Sequence, residues 1–405
     1  MRYRLPLSIP FLLLPLALLA LGSSAAWAQQ DKPLMINAGY TVQTDSNLFR
    51  LPSGANTRAI LGKDSGAEQV GVSTVGLSFV TNQSLQRFEL DASLVDYRYQ
   101  NFDYLSFTAT NYDAAWRWSL TPRLTGNLTS TRKETLNSFA DYQGFTHRNQ
   151  RTDTNNRLDA RYELSGPWRL LAGVTQAERL NEQALVAGGD YRSTAADLGL
   201  AHVYSSGSSI TMVGSLANGN YLNHIVPNTG AYDDSYKQLD ARLQLHWAFS
   251  GNTTLDGSLS QINRSHPTYG QRDYSGLTAN AALNWDVTGK TRLTARYARE
   301  LGEYATSVSN YSQTDRLQLG TVWTLGAKTQ LGFNVNYAQI DYLGSPGTVS
   351  SQRRDTTNDT SLSLGWEPIQ RLSFSAALQG ANRGSTQTGL DYDSTSLSLS
   401  AQYSF

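Results

Sequence analysis

The chain has 405 residues, with 33 basic and 33 acidic side chains, no cysteine, 22 tyrosines and 33 glycines. Balanced charge excludes the electrostatic footprint of a nucleic-acid binder, and the lack of cysteine excludes a disulfide scaffold and a thiolate zinc site. A mean hydropathy of −0.40, with no long apolar run after residue 28, excludes a helical membrane protein.

At the N-terminus, Arg2 and Arg4 precede an apolar run from Leu5 to Leu21 that is interrupted by Pro6, Pro10 and Pro15. Ala26-Trp27-Ala28 then places small residues where a signal peptidase reads. Residues 1–28 are expected to be a cleaved secretory signal, and residues 29–405 the exported domain. Alternating segments follow, joined by connections that are tight and long by turns. The tight ones are Asn82-Gln83-Ser84, Thr121-Pro122-Arg123, Ser165-Gly166-Pro167, Ser205 to Ser208, Ser250-Gly251-Asn252, Thr288-Gly289-Lys290, Gly326-Ala327-Lys328 and Glu367-Pro368-Ile369-Gln370. Glycine or asparagine there supplies positive φ and proline presets it. Longer polar stretches lie between them at 45–69, 100–104, 136–151, 181–189, 222–232, 265–271, 304–310, 344–355 and 383–390. This alternation predicts an all-β chain: a transmembrane antiparallel up-and-down barrel of about 18 strands, with short periplasmic turns and longer extracellular loops.

The strands show a period of two. Leu34, Ile36, Ala38, Tyr40 and Val42 share a face in the first. Leu239, Ala241, Leu243, Leu245, Trp247 and Phe249 share one opposite Asp240, Arg242, Gln244 and His246. The chain ends on Leu397, Leu399, Ala401, Tyr403 and Phe405 opposite serines and Gln402. An apolar terminal strand of this kind is a hazard in water. In a bacterial outer membrane, lipid covers its face and the first strand covers its edge. Trp116, Trp118, Trp247, Trp285, Trp323 and Trp366 lie near tight turns, as an interfacial aromatic girdle requires. The terminal phenylalanine with alternate apolar residues resembles the signal by which the barrel-assembly machinery selects its clients.

By the same parity Glu89, Asp91, Asp113, Arg117, Asp159, Arg161, Glu163, Asp197, Asp240, Arg242, His246, Asp256, Arg292 and Arg296 fall on the lumen side, either as ordinary paired wall residues or as a wet pore lining. Loop 45–69, with Leu48, Phe49, Arg50 and Leu51, is the candidate gate or plug. Tyr97, Tyr99, Tyr104, Tyr191, Tyr311, Tyr342 and Tyr392 sit near the loop ends, where they either face a sugar or form an outer girdle. His147, His202, His224, His246 and His266 form no sequence signature with a serine, an acid or another histidine. No catalytic residue, metal site or cofactor is therefore expected.

Asp45-Ser46-Asn47-Leu48-Phe49-Arg50-Leu51-Pro52 resembles the D-x-N-L-F-R-L segment of EpsL-like β-barrel proteins found with exosortase-linked exopolysaccharide biosynthesis clusters. The resemblance implies an outer-membrane conduit for an extracellular polysaccharide chain, with periplasmic export components as partners. The mixed lumen charge points to a neutral or weakly charged polymer. A general or substrate-selective porin for small solutes, or a structural or adhesive barrel, is the alternative.

Overall fold

The computed structural model describes residues 33–140, 144–183, 189–223, 233–303, 309, 311–344 and 353–405. The expected signal segment and His224 lie outside them. The strands are β1 (Leu34–Asp45), β2 (Glu68–Gln83), β3 (Gln86–Tyr99), β4 (Phe107–Thr121), β5 (Leu124–Leu136), β6 (Gln150–Glu163), β7 (Trp168–Asn181), β8 (Tyr191–Val203) and β9 (Ser209–Tyr221). They continue as β10 (Ser235–Ser250), β11 (Thr253–Ser265), β12 (Tyr274–Thr288), β13 (Thr291–Glu303), β14 (Tyr311–Gly326), β15 (Thr329–Leu343), β16 (Arg354–Ile369), β17 (Leu372–Ser385) and β18 (Tyr392–Ser404).

Each strand pairs antiparallel with its neighbours in sequence, and β1 pairs with β18, so the 18-stranded sheet closes on itself. Closure answers the problem posed by the last strand. Val42 sits opposite Leu399 and Tyr40 opposite Ala401, and the Phe405 amide donates to the Ile36 carbonyl at 2.8 Å. Among the described residues no strand edge is left without a partner.

The expected turns are observed, with shifts of a residue or two. The β2–β3 hairpin turns at Ser84-Leu85 and the β16–β17 hairpin at Gln370-Arg371, where Ser84 and Arg371 have φ of 56° and 74°. Pro368, read from sequence as part of that second turn, lies instead at a bulge between Trp366 and Ile369, where no ladder donor is needed. The nine longer loops are L1 (46–67), L2 (100–106), L3 (137–149), L4 (182–190), L5 (222–234), L6 (266–273), L7 (304–310), L8 (344–353) and L9 (386–391).

The outer face is an apolar belt. Val75, Leu120, Leu198, Met212 and Leu216 are each more than half exposed. Such side chains left in water forfeit about 1.5–3 kcal/mol apiece, so the belt belongs in hydrocarbon. Trp116, Trp118, Trp168, Trp247, Trp285, Trp323 and Trp366 ring its turn side. A Cβ at Gly126 would lie 2.2 Å from the Trp118 ring, so glycine makes the room that this indole needs against the sheet. Toward the loops the belt gives way to outward ion pairs, Arg98–Asp96 and Arg299–Asp315 at 2.7 Å and Arg354–Asp341 at 2.5 Å. These mark where hydrocarbon ends.

Candidate lumen and loop gate

Strand pairing puts every sequence-derived wall candidate on one continuous inner face. Glu89, Asp91, Asp113 and Arg117 share it on β3 and β4; Asp159, Arg161 and Glu163 on β6; Asp197 on β8. Asp240, Arg242, His246 and Asp256 share it on β10 and β11, and Arg292 and Arg296 on β13. Most are engaged with neighbours. Arg117 pairs with Glu89 at 2.8 Å, Arg242 with Asp240 at 2.7 Å, Arg292 with Asp286 at 2.6 Å, and Arg169 with Glu163 at 3.0 Å. Arg157, missed in the parity reading, pairs with Asp197 at 2.7 Å and approaches Asp159 at 3.7 Å. Asp91 and Asp113 stand directly opposite one another across β3 and β4. Arg161 and Arg296 are solvent-exposed.

Two histidines have acidic partners that no local spacing announced. His246 Nδ1 lies 2.6 Å from Asp256, its register partner across β10 and β11. His266 Nδ1 lies 3.1 Å from Asp273. His202 shares the outer face with Trp168, its register partner, and packs between Trp168 and Tyr204 at the turn-side girdle. No group of three potential metal ligands exists among the described residues.

At the loop end, L1 folds inward through the segment that carries the resemblance. Arg50 takes a left-handed φ of 55° and aims its guanidinium at Asp45, donating from Nη1 and Nη2 at 2.9 and 2.8 Å. Ser394 Oγ on β18 donates to the same carboxylate at 2.7 Å. Asn47 Nδ2 donates to Leu51 O and, across the seam, to Asp393 O, both at 2.9 Å, and Asn47 Oδ1 accepts from the Leu51 amide at 3.0 Å. Asp45 and Arg50 side chains are each 5% exposed, so the pair is desolvated, and its fork geometry is what makes such a pair tolerable.

That turn pushes Leu48, Phe49 and Leu51 onto the inner faces of β2, β3 and β4. There they form one buried cluster with Val70, Val72, Val95, Tyr99, Phe107 and Ala109 from the wall, Phe102 and Leu105 from L2, and Phe139 from L3. Phe49 meets Phe102 edge-on at 4.7 Å and Phe139 at 4.6 Å. Glu68 holds L2 in place, its carboxylate accepting the Asn101 and Phe102 amides at 2.8 Å. L3 reaches further. Arg383 on β17 donates to Ala140 O at 2.6 Å, and Arg383 also lies 3.7 Å from the fully buried Asp355. Sequence reading singled out L1 alone; the parts supplied by L2, L3 and β17 carried no local signal.

A second buried layer lies on β8 to β12. Arg264 sits 3.8 Å from the Tyr236 ring centre and 5.0 Å from that of Tyr274, and donates to Gln238 Oε1 at 3.0 and 2.8 Å. A Cβ at Gly219 would lie 2.2 Å from the Tyr236 ring, so glycine lets that ring lie flat on the wall. Tyr221 contacts His266 Nε2 at 3.2 Å, and Asp233 in L5 accepts the Thr268 and Tyr269 amides of L6 at 2.8 Å. Burial first, and then the Arg272 charge, push the His266 pKa below its ordinary value, with Asp273 pulling the other way.

The tyrosines near the loop ends are therefore mostly not an outer girdle. Tyr97, Tyr99, Tyr191, Tyr342 and Tyr392 lie on the inner face, the Tyr311 ring packs at a tilt 5.1 Å from that of Tyr274, and Tyr104 is exposed in L2.

No described protein family and no curated protein matches this chain. Solved structures from Pseudomonas aeruginosa share its architecture. OccK9 (OpdG) aligns with a TM-score of 0.51 at 11% identity, over 92% of this chain and 98% of that one. OccK2 (OpdF) aligns with a TM-score of 0.50 at 12% identity, over 92% and 98%. The outer membrane protein OpdK aligns with a TM-score of 0.49 at 12% identity, over 92% and 99%. At such identities the likeness is one of fold: this chain is a closed 18-stranded barrel of the outer-membrane type.

Proposed function

We propose that this protein is a passive, substrate-selective outer-membrane channel for small solutes, and not an enzyme. One observation carries the reading: a closed 18-stranded wall whose inner face carries polar side chains below the loop layer, narrowed at the loop end by inward-folded loops. A barrel of this size leaves an aqueous lumen unless loops fill it. In this reading Glu89, Asp91, Asp113, Arg117, Asp159, Arg161, Glu163, Asp240, Arg242, His246, Asp256, Arg292 and Arg296 line the pore. Leu48, Phe49, Arg50 and Leu51 gate it. Removing residues 46–66 tests this in planar bilayers: single-channel conductance rises if the loop obstructs the lumen, and an unchanged conductance refutes the gate.

Export of an exopolysaccharide chain is the second reading, favoured by the Asp45 to Pro52 segment and its EpsL-like resemblance. Deleting the gene while quantifying surface and periplasmic polymer separates the two. Loss of surface polymer with periplasmic accumulation supports export; unchanged polymer with slower uptake of small solutes supports the channel. In either reading the barrel-assembly machinery is a partner during biogenesis, so a chain lacking Phe405 is expected to yield little folded barrel by heat-modifiable gel migration.

A further inference from the structure

The inner wall is not uniform around its circumference. On β6 alone Arg151, Asp153, Arg157, Asp159, Arg161 and Glu163 all face inward. On β17, β18, β1 and β2 no charged side chain faces inward below Arg383, Asp45 and Glu68 at the loop end. β17, β18 and β1 instead present Thr41, Gln43, Gln379, Ser396, Ser398 and Ser400 at mid-height, and β2 adds Thr74 and Ser78 below the valines that L1 covers. Thr41 and Ser400 share a hydrogen bond of 2.8 Å, and Gln43, Ser396 and Ser398 stand half-buried on the wall.

Two physical consequences follow. Serine, threonine and glycine are short, whereas arginine and glutamate extend several ångströms into the lumen, so free cross-section is displaced toward the β17–β2 wall. Hydroxyls and carboxamides also both donate and accept, and can replace water around a solute that itself carries hydroxyls. They carry no formal charge, so they offset the desolvation of an ion less than a fixed counter-charge does. The clamps at Arg50–Asp45–Ser394 and Arg383–Ala140 sit at the loop end of this same wall.

Building on the channel reading above, we infer that the solutes selected are uncharged and polyhydroxylated, of oligosaccharide type, and that they travel along the hydroxyl wall of β17, β18, β1 and β2. Ionic solutes are drawn instead to the crowded, charged wall of β3 to β14 and pass more slowly.

The test uses the full-length protein in proteoliposomes and compares swelling rates in maltose, in lactobionate and in a glucosamine disaccharide. Maltose is expected to enter roughly threefold or more faster than either charged sugar. Ser398→Arg on β18 is expected to cut the maltose rate about fivefold, while Ser258→Arg on the charged wall leaves it within about twofold. Heat-modifiable migration confirms that each variant is folded, and the wild-type comparison needs no variant. Conduction with lactobionate as fast as maltose overturns this inference and leaves the channel reading standing. So does equal sensitivity to arginine at Ser398 and Ser258. Absence of ion current and of swelling, both with and without residues 46–66, overturns the two together.

Discussion

The loop end of this barrel is filled in two places by different chemistry. On β2 to β4 and the β17–β1 seam, L1, L2 and L3 lay down leucine and phenylalanine as a small dry core and lock it with the desolvated Arg50–Asp45 ion pair and the Arg383 to Ala140 hydrogen bond. On β8 to β12, L6 covers a layer of tyrosine faces and guanidinium groups, with the Asp233 carboxylate holding its backbone amides. A loop that enters a lumen has backbone groups to satisfy and side chains to bury. The seam does this with area burial and charge, which are strong and all-or-none. The tyrosine layer does it with many weaker stacking contacts that tolerate loss of one.

If that contrast is right, the largest single effect lies in the seam. Phe49→Ala removes a ring that is 1% exposed and touches two others, and is expected to cost the loop layer about 3–5 kcal/mol. It should raise single-channel conductance and expose L1 to protease; conductance and protease resistance like those of the unaltered protein would deny that the cluster holds the loop. Arg50→Ala leaves the Asp45 carboxylate buried, at a cost of about 3 kcal/mol or more, and is expected to free L1 in the same assays. Asp45→Asn combined with Arg50→Ala should recover part of that loss, because the stranded charge is gone.

The tyrosine layer should respond more gently. Tyr236→Leu is expected to cost about 1–2 kcal/mol through loss of the face under Arg264, and Tyr236→Phe, which keeps that face, less than half as much. Hydrogen exchange of the L6 amides reads both, and equal losses would argue against stacking. The smallest effect is one of pH. His266 has a lowered pKa in the folded protein, so the unfolded loop binds its proton first on acidification. The contribution of His266 to L6 is therefore whole above the ordinary histidine range and declines as pH falls through about 6.5. Faster exchange in L6 at pH 5 than at pH 7.5, with L1 unchanged over the same interval, would sharpen the contrast. Loss of protection in both loops together would erase it.

Much of this was legible in the residues. Strand number, turn and loop alternation, the tryptophan girdle and the inner face all follow from a period of two punctuated by turn chemistry, because a strand's side-chain direction is a local property. The inward tyrosines were legible too: Tyr97 and Tyr99 share parity with Glu89 and Asp91, although composition suggested an outer girdle as readily. Tertiary structure alone decided what the loops do. Asp45 through Leu51 reads as a short apolar motif, but its purpose depends on Ser394, 349 positions from Asp45, and on Phe102 and Phe139 in other loops. His246 finds Asp256 through strand register, and Ala140 finds Arg383 across 243 positions. Such contacts are set by closure of the barrel, which brings distant segments to one rim, and no spacing along the chain encodes them.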